Sequence, residues 1–129
     1  MFERFNPDTI MEPYGGAYSH GLVIPPGASL MFVSGQIGEA RDATTLDGIE
    51  AQSRQVWENI QAVLEAGGFA LDDIVKITSY VARRGDYPAY AATRREFLGD
   101  LKPAMTGIIV ELAEEELLVE VDVIAAKMP

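Results

Sequence analysis

The clearest pattern in the chain lies near its end, in Leu117-Leu118-Val119-Glu120-Val121-Asp122-Val123-Ile124-Ala125. From Val119 onward apolar and acidic residues alternate. A strand has a period of two, so Val119, Val121, Val123 and Ala125 share one face and Glu120 and Asp122 the other. The β-branched content predicts a largely buried strand. Its two carboxylates are then either a wet face or groups set in a cleft, and alternation alone leaves both readings open.

Other segments repeat at helical or strand periods. Ile49, Ser53, Val56, Ile60, Val63 and Leu64 recur at spacings of three and four, which predicts an amphipathic helix. Asp47 with Glu50 resembles a capping box at its start, and Gly67-Gly68 stops it. Trp57 borders this stripe and is expected in a core or an interface. A second helix is predicted from an Asp86 cap, with Pro88 in its first turn, Tyr87, Tyr90, Ala91, Arg94, Phe97 and Leu98 in phase, and Gly99-Asp100 at its end.

Strands are expected at 19–24, 30–34, 74–81, 106–112 and 117–125. Pro25-Pro26-Gly27 marks a turn, so the first two read as a hairpin. Residues 1–18 read as a loosely structured lead-in with room for one further short strand, and 38–46 as a loop. The order β-β-α-β-α-β-β predicts an α+β fold in one domain spanning 1–129, with two helices on one face of a mixed sheet. The other face should be exposed and apolar unless another chain covers it, which points to oligomerisation.

Composition narrows the chemistry. There is no cysteine and one histidine, His20, so neither disulfides, thiol catalysis nor an ordinary zinc site is expected. No EF-hand, phosphate-binding or dinucleotide-binding glycine motif occurs. Ser34, in Val33-Ser34-Gly35-Gln36, lacks the preceding glycine of a nucleophile elbow. No apolar run is long enough to span a membrane, and the N-terminus shows no secretory pattern, so a cytoplasmic protein is expected. Twenty acidic against ten basic residues give a formal charge of −10, the wrong sign for a phosphate-backbone binder. Arg83-Arg84 and Arg94-Arg95 are expected to be helix-flank and surface charges, and Glu114-Glu115-Glu116 a solvated turn.

Taken in order, Tyr18-Ser19-His20, Phe32-Val33-Ser34-Gly35-Gln36-Ile37, Gln55-Val56-Trp57-Glu58-Asn59-Ile60, Glu65-Ala66-Gly67-Gly68, Val75-Lys76-Ile77-Thr78, Pro103-Ala104 and Val119 to Ala125 resemble the reactive-intermediate deaminase (Rid) family, also called the L-PSP endoribonuclease family. The resemblance covers roughly residues 17–126. It implies a chorismate-mutase-like α+β fold, a homotrimer around a central barrel, and clefts between subunits that hydrolyse imines or enamines without cofactor or metal. It matches the family's cleft glutamate to Glu120 and its tyrosine to Tyr18. Substrate-binding positions fall at Ser34, Gly35, Met105, Thr106 and Gly107, the backbone of Gly35 and Gly107 orienting the substrate. Glu120 would hold the attacking water and take its proton.

Two departures stand out. Deaminating members carry a carboxylate-gripping arginine where this chain has Met105, and some carry a cleft asparagine where it has Ala91. A charge-assisted contact contributes about 1.5–3 kcal/mol, so its loss should cost about ten- to a hundredfold on α-imino acids. A hydrolase, a non-catalytic small-molecule binder and an endoribonuclease therefore all stand as readings, the last disfavoured by charge. No appreciable RNA binding is expected at physiological salt. A salt-sensitive gel shift at sub-micromolar protein would overturn that expectation.

Overall fold

A computed structural model describes residues 2–129. Its centre is the alternating strand β6 (Val119–Lys127), flanked on both sides. The main sheet has the order β3-β6-β4-β5, with β3 (Ser29–Ile37), β4 (Ile74–Val81) and β5 (Ala104–Ile109). β6 runs antiparallel to β3 and β4, whereas β4 and β5 are parallel, so the sheet is mixed. A parallel pair needs a crossover, and helix α2 (Tyr87–Leu98) supplies it. Helix α1 (Ile49–Ala66) lies beside α2 and against β3 and β6.

The core fills the space between the helices and one sheet face. Val56, Trp57, Ile60 and Leu64 of α1 meet Val121, Val123 and Ala125 of β6 and Ile77 and Val81 of β4. Each fully buried aliphatic side chain of this kind contributes about 1.5–3 kcal/mol. Trp57 has no exposed surface and is a core residue. Gln52 is buried too, but satisfied. Its amide nitrogen donates to the carbonyls of Leu46 and Glu116, and its carbonyl accepts from the Leu118 backbone N–H, tying the loop before α1 to the entry of β6.

Several expectations need correction. The first two strands are not a hairpin. β2 (Gly21–Val23) pairs with β1 (Glu3–Phe5) in a separate two-stranded sheet, and β3 pairs with β6. The Pro-Pro-Gly turn is therefore a passage between sheets. The further short N-terminal strand is β1, and a 3-10 turn spans Tyr14–Gly16. β3 continues three residues past Ser34, with a bulge between Val33 and Gln36. β5 begins at Ala104 and β6 at Val119. Gly48, not Asp47, occupies the N-cap of α1. Asp86 does sit at the N-cap of α2, yet neither helix has a side-chain capping bond.

The second sheet face is only partly apolar. Leu30, Phe32 and Ile108 are exposed there, Phe32 at 70 %, but Lys76, Thr78, Thr106 and Asp122 share that face. Arg94 also departs from expectation, being 8 % exposed.

Tyr90 lies on the helix-facing side, fully buried, with its hydroxyl against Ser79 Oγ of β4. Burial, which disfavours the phenolate, pushes its pKa up from 10.0 to about 12. The folded chain thus keeps a proton that the unfolded chain has lost. This contribution is complete below the unfolded pKa near 10 and disappears as pH rises towards 12, on the order of 1.4 kcal/mol per pH unit. In urea titrations across this window, Tyr90→Phe should show a flatter fall in stability than the wild type. Below pH 9 it should be less stable by about 1 kcal/mol, because Ser79 loses its partner. Parallel pH profiles for the two proteins would contradict this account.

Candidate functional site

Glu120 lies on the helix-free face of β6, half-buried, in register with Ile37 of β3 and Tyr80 of β4. The β3 bulge brings Gly35 beneath its carboxyl group. A Cβ at Gly35 would stand 2.9 Å from Glu120 Cδ and closer still to Oε2. Only glycine leaves room for the carboxylate in this position. One step along β6, Asp122 accepts a hydrogen bond from the Tyr80 hydroxyl at 3.1 Å. That bond, together with desolvation and the charges of Asp122 and Glu120, raises the Tyr80 pKa. The exposed Gly35 and Ser34 thus border a small acidic cluster of Glu120, Asp122 and the Tyr80 phenol.

The remaining predicted residues gather elsewhere. Ser19 donates from its backbone N–H to the Pro103 carbonyl (3.1 Å) and from its hydroxyl to the Lys102 carbonyl (2.7 Å). These bonds hold Tyr18 beside the start of β5, its ring edge-on to His20 at 5.7 Å. β5 is an edge strand, and its register with β4 sorts its side chains. Thr106 pairs with Thr78 on the open face, where its hydroxyl accepts from Lys76 Nζ at 2.9 Å. Met105 pairs with Ile77 and packs partly buried against the core. Gly107 pairs with Ser79 and lies under the Tyr87 ring of α2, a Cβ there standing 2.9 Å from Tyr87 Cζ.

Within one chain these two groups do not converge. Met105 and Glu120 are two strands and three residue steps apart, about 14 Å at standard sheet spacings, and on opposite faces. Ala91 is half-buried on α2. Tyr80 was missed as a neighbour of the carboxylates. Its place opposite Glu120 follows from strand pairing, which no local pattern encodes. Tyr87 stands in the second helix's stripe, but nothing in the sequence ties it to Gly107.

A cavity of about 520 Å³ is remote from Glu120. It lies where the small sheet meets the first residues of β4 and the last of β6, and is lined by Arg4, Leu22, Ile74, Leu98, Pro103 and Lys127 among others. No pairing of a carboxylate with a glycine occurs in it, so the Glu120 cluster is the better chemical candidate despite its open shape. Among the described residues no group of His, Cys, Asp or Glu could hold a metal ion. No helix there is long and apolar enough to cross a membrane.

Comparison with known proteins decides the relationship. The family described as Endoribonuclease L-PSP matches residues 10–127. The chain belongs to this family. A RutC family protein of Pyrococcus horikoshii is 33 % identical over 114 residues, covering 87 % of this chain and 88 % of that protein. A protein of Salmonella typhimurium named 2-iminobutanoate/2-iminopropanoate deaminase is 29 % identical over 116 residues, covering 87 % and 88 %. Among solved structures, a Rid-family protein of Yersinia pestis superposes with a TM-score of 0.83 at 25 % identity over 98 % of each chain. RidA from an Antarctic Psychrobacter gives 0.73 at 27 % identity, covering 87 % of this chain and 89 % of that one. The two helices on a mixed sheet are thus the L-PSP family's architecture.

The Gly35–Glu120 contact yields a direct test. Gly35→Ala should fold with a thermal midpoint within a few degrees of wild type, because the displaced atoms are the end of a flexible side chain. It should nevertheless shift the Glu120 carboxyl carbon resonance, measured by NMR on selectively labelled protein. An unmoved resonance would mean the carboxylate does not rest on Gly35.

Proposed function

We propose that the protein is a hydrolase that deaminates an imine, an enamine or a related small electrophile in a cleft between subunits. Glu120 positions a water and takes its proton as that water attacks the electrophilic carbon. The observation that carries this reading is the half-buried Glu120 carboxylate resting over Gly35 on an otherwise open sheet face. A deaminase-named relative at 29 % identity supports the choice of reaction class.

The division of the predicted residues into two groups supports an intersubunit cleft. In a homotrimer, the β5 edge of one copy, with Tyr18, Met105, Thr106 and Gly107, would meet the Ser34, Gly35 and Glu120 surface of the next. The exposed Phe32, Leu30 and Ile108 are suited to cover by such a neighbour. The protein needs no cofactor in this scheme and works in the cytoplasm. RNA cleavage, named in the family's description, is a poorer fit to a net charge of −10. A non-catalytic binder would keep the same cleft and differ only in turnover.

Release of ammonia from a panel of imines generated in situ tests the reading. Glu120→Ala should lower the rate about a hundredfold or more, while light scattering gives the same trimeric mass for both proteins. Equal rates for wild type and Glu120→Ala would exclude the carboxylate as base. No turnover on any imine by an intact trimer would favour the binder.

A further inference from the structure

The small sheet closes over a space that it does not fill. β1 and β2 pair Arg4 with Leu22, so these two residues and Phe2 share the face turned towards the body of the molecule. Beneath that face lies the cavity of about 520 Å³, within the size range of small-molecule pockets. Its floor is apolar. Ile74, Leu98, Pro103 and Ala126 are buried there, and Leu22 is half-buried across from them. Neither Glu120 and Gly35 nor Tyr18, Met105 and Gly107 line it, so it is separate from the site built around Glu120.

Charges of both signs rim this apolar space, Arg4, Lys102 and Lys127 against Asp72, Asp73 and Asp100. Two of them are engaged by backbone. The Asp73 carboxylate accepts from the Ala70 N–H at 2.8 Å, and Lys127 Nζ donates to the Gly68 carbonyl at 2.7 Å. The other four form no ion pair among the described residues, where Arg54 and Glu96 make the one there is. Asp100 and Lys102 flank Leu101 in the segment between α2 and β5, their Cα atoms no more than about 7 Å apart. Equal numbers of cations and carboxylates around one cavity give no preference for an anion or for a cation. Left unpaired, they favour a ligand that carries both charges.

We propose that this cavity is a second small-molecule site, for a zwitterion with a bulky apolar side chain, the chemistry of an aromatic α-amino acid. The Asp100 carboxylate takes the ligand's ammonium, and the Lys102 ammonium takes its carboxylate. These two ligand groups hang from one carbon, so with a hydrogen bond of about 2.8 Å to each they fit between side chains two residues apart. The apolar part fills the space beneath Phe2 and Leu22 and completes the packing of the small sheet. Lys102 is anchored from behind, its backbone carbonyl accepting the Ser19 hydroxyl at 2.7 Å. The site stands whether or not Glu120 is a catalytic base.

Calorimetric titration with L-phenylalanine, 3-phenylpropanoate and 2-phenylethylamine separates the two charges from the apolar body they share. At low ionic strength, wild type should bind phenylalanine at least tenfold more tightly than either analogue. Asp100→Asn and Lys102→Gln should each lower phenylalanine affinity at least tenfold. Asp100→Asn should leave phenylpropanoate binding unchanged, and Lys102→Gln should leave phenylethylamine binding unchanged. Both side chains lie at the rim, so both variants should keep the wild-type thermal midpoint within a few degrees. Glu120→Ala should bind phenylalanine as wild type does, whatever its rate on imines. No saturable binding in the millimolar range, equal affinity for the three probes, or undiminished phenylalanine binding by the folded Asp100 and Lys102 variants would overturn the proposal. So would loss of phenylalanine binding in Glu120→Ala, which would place the ligand in the subunit cleft instead.

Discussion

Everything in this molecule depends on one strand being paired on both sides. β6 is bonded to β3 on one edge and β4 on the other, so its alternation is imposed on the whole sheet. One face of β6 packs Val119, Val121, Val123 and Ala125 against the helices. A shift of register by one residue would carry those valines into solvent and both carboxylates into the core, an exchange no fold of this size could absorb. The core therefore fixes the direction in which Glu120 points. The rigidity of a carboxylate on the open face is a by-product of apolar packing on the other.

The legible parts of the sequence are those governed by local periodicity. β4 appears at the residues its pattern predicts, and α1 ends at the double glycine. The partner of β2 was not legible, because a proline-glycine turn between two short strands looks the same whether they pair with each other or with strands elsewhere. The extension of β3 was hidden by the bulge at Ser34 and Gly35, which interrupts the alternation just where Glu120 needs space. Arg94 was legible as a position in a stripe and misread as a charge. Helical phase put it beside Tyr90 and Leu98, and phase prevailed over the usual tendency of arginine to sit in water. The predicted site was legible only through resemblance, and its division into two groups became visible only from the strand order.

That division gives the two sheet faces distinct chemical characters. The open face carries Glu120, Asp122 and the Tyr80 phenol, with the Lys76 ammonium further along it on Thr106. The helix-facing side of β5 carries Met105 and Gly107, and against it α2 sets Tyr87, Tyr90 and Arg94. Glu120 and Arg94 are thereby kept on opposite sides of the same sheet. Within one chain they cannot neutralise each other by forming an internal ion pair.

The central place of β6 also bears on how the chain is made. β4 and β5 can pair as soon as α2 has formed, but β3 has no neighbour in the main sheet until β6 arrives. β6 follows β3, β4 and β5 in chain order. During synthesis, β3 and one edge of β4 must therefore wait with open hydrogen-bonding edges until β6 has left the ribosome. A nascent chain or one cut short before Val119 would expose two sticky strand edges at once, the condition under which chains join to each other rather than to themselves.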